Sequence, residues 1–150
     1  MVKDDVNFVN APVIAREMGI SVTETATADA EEYINLITVR IISTDMTSTV
    51  SGTIFGKNEA RVVRINSFRL EMVPKGHLAL IHNLDVPGSI GEIGTTLGRH
   101  RINIGRMQVG QEEEGDRNII FLETDTPIPE PVLEELRALR TVKTVTPLEF

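Results

Sequence analysis

The apolar residues of this chain change their spacing near its midpoint. In the first half, β-branched and apolar residues form alternating segments, a pattern that predicts strands. These strands are expected at residues 20–27, 33–44, 47–55, 60–66 and 68–72, after a short helix at residues 10–19 and with a polar connection at residues 29–32. Asn10, Pro12 and Gly19 are the expected N-cap, first-turn residue and stop of that helix. The breakers in segment 73–76 predict a boundary between a mainly sheet domain, residues 1–76, and a second domain, residues 77–150.

In the second half, strands and helices alternate. Strands are expected at residues 77–84, 102–109, 117–124 and 142–148, and helices at residues 87–99 and 127–140. The expected buried stripes are Ile90, Ile93 and Leu97 on the first helix and Val132, Leu136 and Leu139 on the second. This order predicts a ferredoxin-like βαββαβ fold, with both helices on one face of an antiparallel sheet. The predicted fold class of the whole chain is therefore α+β.

Local irregularities within these elements carry further predictions. Ile104 and Met107 have opposite parity, which predicts a bulge near residues 105–106. The unbroken apolar centre of residues 117–124 predicts a strand that is buried on both faces. Gly91, Gly94 and Gly98 lie beside the apolar stripe of the first helix. Since a mid-helix glycine costs about 1 kcal/mol relative to alanine, either another backbone approaches this helix closely or the helix is merely weak.

Composition and charge exclude several classes of function. The net charge of −7 disfavours a nucleic-acid partner, because phosphate binding needs clustered Lys and Arg. The absence of cysteine excludes a disulfide framework, a thiolate zinc site and a Cys nucleophile, and it suits a reducing cytoplasm. No apolar segment is long enough to span a bilayer, so no membrane partner is expected. The three histidines, His77, His82 and His100, lack metal-ligand spacing, and no catalytic constellation is apparent, so we expect neither a metal nor a catalytic residue.

The turn after the strand at residues 77–84 carries the most specific chemistry. Asn83 and Asp85 share one face of that strand by period-two alternation. The amides at the start of the next helix are suited to a carboxylate, and Asp85 beside them is suited to an ammonium group. This pairing predicts a site for a zwitterionic amino acid, although Asp85 as a helix cap and Asn103 in a turn bond are the alternatives. The expected effector-binding residues are Asn83, Asp85, Gly88, Ser89, Ile90 and Asn103.

Longer stretches of the chain resemble a known family. HNLDVPGSIGEIGTTLGRHRINIGRMQVG resembles the start of an ACT domain, and VNAPVIAREMGI, INLITV, GTIFGKNEARVVRIN and MVPKGHLALIHN resemble the intervening domain of D-3-phosphoglycerate dehydrogenases. The resemblance implies a regulatory region whose ACT domains pair into one sheet and bind L-serine at the junction for feedback inhibition. Asn83 and Asp85 of one chain would then meet Asn103 of the partner, although position 83 varies in the family.

The resemblance also implies features beyond the serine site. An anion site in the intervening domain would use Lys57, Arg61 and Arg64, whose alternative role is a solvated strand edge. The nicotinamide cofactor, NAD, would belong to catalytic domains with no counterpart in these residues. Gly88, Gly91 and Gly94 place Ile90 where a dinucleotide fingerprint needs glycine, so no cofactor is expected here. A start just upstream of the intervening domain favours a fragment, and the alternatives are an oligomerisation module without effector or a free-standing sensor of another amino acid.

Overall fold

A computed structural model of the chain describes residues 6–27, 32–112 and 115–150. The first of these ranges belongs to one compact unit, and the other two belong to a second. The first unit contains helix α1 (Ala11–Glu17), with proline in its first turn and Gly19 at a φ of +72° just beyond its end. The prediction that the Asn10 side chain caps α1 is wrong. This side chain makes no cap bond to the helix and instead accepts a hydrogen bond from the Asn7 N–H at 2.7 Å.

The strand predicted at residues 20–27 is wrong, because these residues are irregular. A β-branched alternation forms a strand only when another strand pairs with it, and no strand is described in this unit. Of the polar connection predicted at residues 29–32, only Glu32 lies within the described residues, where it is part of a turn.

The second unit begins with a four-stranded antiparallel meander. Its strands are β1 (Ile37–Ile42), β2 (Thr47–Phe55), β3 (Glu59–Ile65) and β4 (Phe68–Met72), and they neighbour one another in sequence order. All four were predicted, but β1 is shorter than expected because residues 33–36 form bends and irregular chain. The segment 73–76 is irregular as well, and the domain boundary there stays a prediction.

The remaining residues form the predicted ferredoxin-like arrangement, so the α+β fold class is confirmed. The elements are β5 (His77–Leu84), α2 (Ser89–Arg99), β6 (Ile104–Gln111), β7 (Arg117–Thr124), α3 (Glu130–Ala138) and β8 (Val142–Glu149). The sheet order is β6-β7-β5-β8, and every neighbouring pair is antiparallel. The predicted bulge is confirmed, since the β6–β7 register shifts between Ile104 and Arg106.

Both faces of the second sheet are covered. On one face, Ile81, Ile120 and Leu122 pack with buried residues of α2 and α3. On the other face, Ile119 and Phe121 pack with Phe68, Leu70 and Met72 of β4. The central strand β7 is therefore buried on both sides, as its apolar run predicts. Among the described helices, none is long and apolar enough to cross a membrane.

The apolar stripe of α2 differs from the prediction at its beginning. Gly88 has a φ of +91°, a left-handed conformation, so the helix begins at Ser89 and not at residue 87. Ile93 and Leu97 are fully buried, but Ile90 is 40 % exposed and does not join the core. On α3, Val132 and Leu136 are buried as predicted, and Leu133, which was not predicted, completes the stripe. Leu139 lies just beyond the end of the helix and is only partly buried.

The close backbone approach occurs at a different glycine from those expected. In the described chain, no atom outside the local helix lies within 4 Å of a Cβ built on Gly91, Gly94 or Gly98, so the predicted close approach to α2 is wrong within one chain. A Cβ on Gly110 of β6 would instead lie 2.6 Å from the Arg69 carbonyl oxygen and 2.9 Å from Ile119 Cγ2. Glycine at this position lets β4 pack directly against β6.

Candidate functional site

Asp85 lies immediately after β5, beside the end of β6 and the beginning of β7. Its N–H donates to the Asp116 carbonyl oxygen at 2.7 Å. Its carboxylate accepts from Gln111 Nε2 and from Asn118 Nδ2, each at 3.1 Å. No side-chain bond caps α2, and Asp85 is therefore held by the sheet and does not cap the helix. Both donors are neutral side-chain amides, and the exposed carboxylate can also accept a hydrogen bond from an ammonium ligand.

A pair of buried amides supports Asp85 from within the sheet. Asn83 and Asn118 face each other in the β5–β7 register and are 1 % and 0 % exposed. Asn83 Nδ2 donates to Asn118 Oδ1 at 3.2 Å and to the Leu84 carbonyl oxygen at 2.7 Å. Asn83 Oδ1 is buried and accepts no hydrogen bond from the described residues. The amides fix the carboxylate through Asn118, a residue that the sequence analysis did not identify.

The beginning of α2 offers fewer free amides than expected. The Ser89 N–H already donates to the Val86 carbonyl oxygen at 3.2 Å, and the Ser89 side chain is buried. Gly88 provides the left-handed turn into the helix, with no atom within 4 Å of a built Cβ. Exposed apolar surface borders the candidate site, because three nearby side chains are each 38–40 % exposed: Val86, Ile90 and Val109.

Asn103 is remote from Asp85 within one chain. Its N–H donates to Asp125 Oδ1 at 3.0 Å, and its carbonyl oxygen accepts from the Asp125 N–H at 3.2 Å, just beyond the end of β7. Asp85 is bonded to Asp116, just before β7 begins. An eight-residue strand rising about 3.3 Å per residue separates the two positions by roughly 26 Å. One chain therefore cannot bring both side chains to one small amino acid.

The basic residues predicted for an anion site are dispersed along β3. Lys57 is on the turn before the strand, and Arg64 is near its end. The Arg61 guanidinium donates to Glu71 at 2.7 Å and to Glu59 at 2.9 Å, and lies 4.5 Å from the centre of the Phe55 ring. The hydrogen bond to Glu59, followed by weaker contributions from its charge and from Glu71, raises the pKa of Arg61 above its usual value. An anion here must compete with two carboxylates, and the site stays a prediction.

The described residues contain no group of three or more His, Cys, Asp or Glu side chains that could hold a metal ion. His100 Nε2 lies 2.9 Å from Glu135 Oε1, His77 Nδ1 lies 3.7 Å from Glu149 Oε1, and His82 packs edge-on against the Phe68 ring. Each histidine therefore has separate surroundings.

Comparison with protein families matches the chain to two family models. Residues 1–66 match the model of the D-3-phosphoglycerate dehydrogenase intervening domain, and residues 77–141 match that of the ACT domain. The chain combines a D-3-phosphoglycerate dehydrogenase intervening domain with an ACT domain. Asp85, Asn103 and Asn118 all lie in its ACT domain.

Several curated D-3-phosphoglycerate dehydrogenases are similar to the chain over nearly its whole length. The relative from Bacillus subtilis is 38 % identical over 135 residues, which are 90 % of this chain and 26 % of the relative. Relatives from Methanocaldococcus jannaschii and Archaeoglobus fulgidus are 35 % and 36 % identical over 93 % and 100 % of this chain, and 26 % and 29 % of their own length. The chain thus spans about a quarter of the relatives that it matches.

Proposed function

We propose that two copies of this ACT domain pair through β6 and bind L-serine between them, so that serine regulates a D-3-phosphoglycerate dehydrogenase. The observation that carries the proposal is the separation of Asp85 and Asn103 by the length of the sheet. A site that needs both residues requires two chains. The NAD-dependent chemistry would belong to catalytic domains outside the residues of this chain.

The free edge of β6 has the geometry for such pairing. In the described part of the chain, β6 pairs only with β7 and forms an edge of its sheet. An unpaired edge strand is a template for another strand, and a two-fold axis pairs a strand with its own copy in antiparallel orientation. Pairing centred near Met107 would place the start of one β6 beside the end of the other. Asn103 of one copy would then lie next to Gln111 and Asp85 of its partner.

The roles of the groups follow from their charges. The Asp85 carboxylate, held by Gln111 and Asn118, receives the ligand ammonium. The amides at Gly88 and Ile90 receive the ligand carboxylate, and Ser89 contributes less because its N–H is already used. Asn103 from the partner bonds the remaining polar atoms of the ligand. Because the bound ligand contacts both copies, it favours one arrangement of the pair, and this differential affinity is the source of regulation.

Calorimetry of the chain with L-serine tests the proposal. Asp85→Asn removes the charge and keeps the size of the side chain, so we expect affinity to fall about tenfold or more, since a charge-assisted hydrogen bond contributes about 1.5–3 kcal/mol. Asp45→Asn, in the exposed turn between β1 and β2, is the matched control and should bind serine normally. No heat with millimolar serine on a folded dimer contradicts serine binding.

The exposed β6 edge also favours a second function, an oligomerisation module without effector. This alternative predicts that the dimer forms and that no amino acid changes its stability. A thermal-shift panel across the amino acids separates the alternatives, since a sensor of another amino acid would show a different best ligand.

A further inference from the structure

A second polar site lies on the opposite face of the ACT sheet from α2 and α3. It is a cavity of about 440 Å³ between the β3–β4 turn and the ends of β5, β7 and β8. Its lining includes Ser67, His82, Glu112, Arg117 and Lys143. His82 has the parity of Leu78, which packs toward β4, and not that of Ile81 and Asn83. The cavity therefore opens on the other face of the sheet from the core with α2 and α3, although Asn83 and Asn118, which support Asp85, also border it.

A β-bulge places Lys143 in this lining. His82 pairs with Thr144 and Asn83 pairs with Val142, so Lys143 is the extra residue in β8. Val142 and Val145 are both buried in the core on the helix side, and the two residues between them are both exposed. No described residue makes an ion pair or hydrogen bond with the Lys143 ammonium, which is available to a ligand.

The cavity already binds a carboxylate of the chain itself. Glu112 accepts a hydrogen bond from Ser67 Oγ at 2.8 Å and from the Arg117 guanidinium at 3.2 and 3.3 Å. Only 16 % of the Glu112 side chain is exposed. The donors that line this cavity therefore have the chemistry and the spacing of an oxyanion site.

The surroundings of His82 also favour the binding of an oxyanion. Burial, and to a lesser extent the charge of Arg117, lower the pKa of His82 below its usual value. A neutral imidazole can donate one N–H to an anion and becomes fully positive when a dianion lies close by. Lys143 and Glu112 are the other charged groups in the cavity, and the β3–β4 turn contributes Asn66, Ser67 and Phe68, which do not titrate.

We propose that this cavity binds a phosphate group, free or as a small organic ester, through Lys143, Arg117, Ser67 and His82, in competition with Glu112. A tetrahedral dianion matches two cations on β7 and β8, the strands that flank β5, together with a hydroxyl and the imidazole on β5 itself. The chain as a whole carries a net charge of −7, so phosphate would be attracted by the local cations of this cavity and not by the overall charge of the protein. It needs one chain only, and it does not depend on serine binding.

Imidazole NMR signals of the three histidines report binding directly when the protein is titrated with inorganic phosphate at constant ionic strength. We expect the His82 signals to shift saturably and its pKa to rise, while His77 and His100 act as internal controls. Lys143→Gln should weaken phosphate binding roughly tenfold, equivalent to about 1.4 kcal/mol. Lys75→Gln, in the irregular segment 73–76 and outside the lining of the cavity, is the matched control and should leave affinity unchanged.

The competing carboxylate gives a change of the opposite sign. Glu112→Gln keeps the shape of the side chain and removes its charge, so phosphate should bind more tightly than to the unaltered chain. A parallel titration with glycerol phosphate distinguishes the sources of the group, since tighter binding than inorganic phosphate indicates an organic ester and equal or weaker binding indicates free phosphate. The proposal is overturned if all three histidines shift alike, if His82 does not respond, or if Lys143→Gln and Glu112→Gln change affinity in the same direction.

Discussion

Gly110→Ala tests the packing of the first sheet against the ACT sheet. The new Cβ would lie 2.6 Å from the Arg69 carbonyl oxygen, whereas ordinary contacts begin near 3.4 Å. Strand β4 must therefore move by roughly 0.8 Å, and the second contact, 2.9 Å from Ile119 Cγ2, blocks an easy rotation away. The Ile119 side chain is fully buried, so it cannot move aside into solvent to relieve the strain.

Two opposing effects determine how much Gly110→Ala changes the free energy of unfolding. Overpacking of this kind costs about 1–3 kcal/mol. Replacing glycine by alanine at a φ that alanine tolerates stabilises the folded protein by about 0.4–1 kcal/mol, because the unfolded chain loses conformational freedom. This gain applies here because Gly110 has no positive φ. We expect a net loss of about 1–2 kcal/mol, which lowers Tm by about 2–8 °C for a chain of this size.

Urea unfolding with Gly98→Ala as the matched control measures this loss. Gly98 has open space around its Cβ position within a helix, so the same substitution there should stabilise the chain by up to about 1 kcal/mol. The midpoint should fall for Gly110→Ala and rise for Gly98→Ala, with equal m values. If Gly110→Ala is as stable as the parent chain, β4 does not pack on β6 as described.

Three further changes test the fold and the pKa argument. Ile93→Ala should lower the free energy of unfolding by about 2–5 kcal/mol, because Ile93 is fully buried. Ile90→Ala should lower it far less, because Ile90 is 40 % exposed. Equal losses in urea unfolding would contradict the burial of Ile93 and exposure of Ile90 on α2. Asn118→Ala should cost about 0.5–1.5 kcal/mol, because it removes one of the two acceptors of the buried Asn83 amide and leaves the Leu84 carbonyl oxygen as the other. Denaturation showing no loss would contradict the Asn83–Asn118 bond. Burial lowers the folded-state pKa of His82, so the unfolded state binds more protons and stability should fall as pH decreases through about 6.5. Unfolding midpoints at pH 7.5 and 5.5 should show a smaller difference in His82→Gln than in the parent chain, and an unchanged difference would remove His82 as the cause.

Periodicity predicted the elements that pack on their own neighbours in sequence. Strand β2 has the bounds that its alternation predicts, and the burial of β7 on both faces follows from its unbroken apolar run. The bulge in β6 was also visible, since two residues of opposite parity must both contact the core. These features depend on local pattern alone.

Contacts between distant segments were not visible in the same way. Alternation at residues 20–27 looks like a strand, but only a partner strand makes it one. Asn118 was overlooked because its role depends on the register that places it opposite Asn83. The glycines of α2 suggested a close approach, yet the tight position is Gly110, because the crossing of β4 over β6 is a property of the tertiary fold.

The candidate site stays a prediction, and the family resemblance already implied its division between two chains; the structure adds the distance between its residues within one chain. Asn83 and Asp85 are neighbours by alternation, and β7 then separates Asp85 from Asn103 by the length of a strand. Whether Asp85 caps the helix could not be decided from spacing, because capping and sheet bonding use the same carboxylate oxygens. Bonds from Gln111 and Asn118 decide it.

Mixing two inactive variants tests the central claim, that the amino-acid site is shared between chains. Asp85→Ala and Asn103→Ala each remove one half of every site, so neither variant alone should bind serine in calorimetry. After unfolding and joint refolding, a dimer with one copy of each variant contains one intact site, which gives about a quarter of the parent number of sites for random pairing. Recovery of serine binding in the mixture is the predicted result. Two variants that stay silent together, although mixed dimers form and the parent chain binds serine, would contradict the shared site.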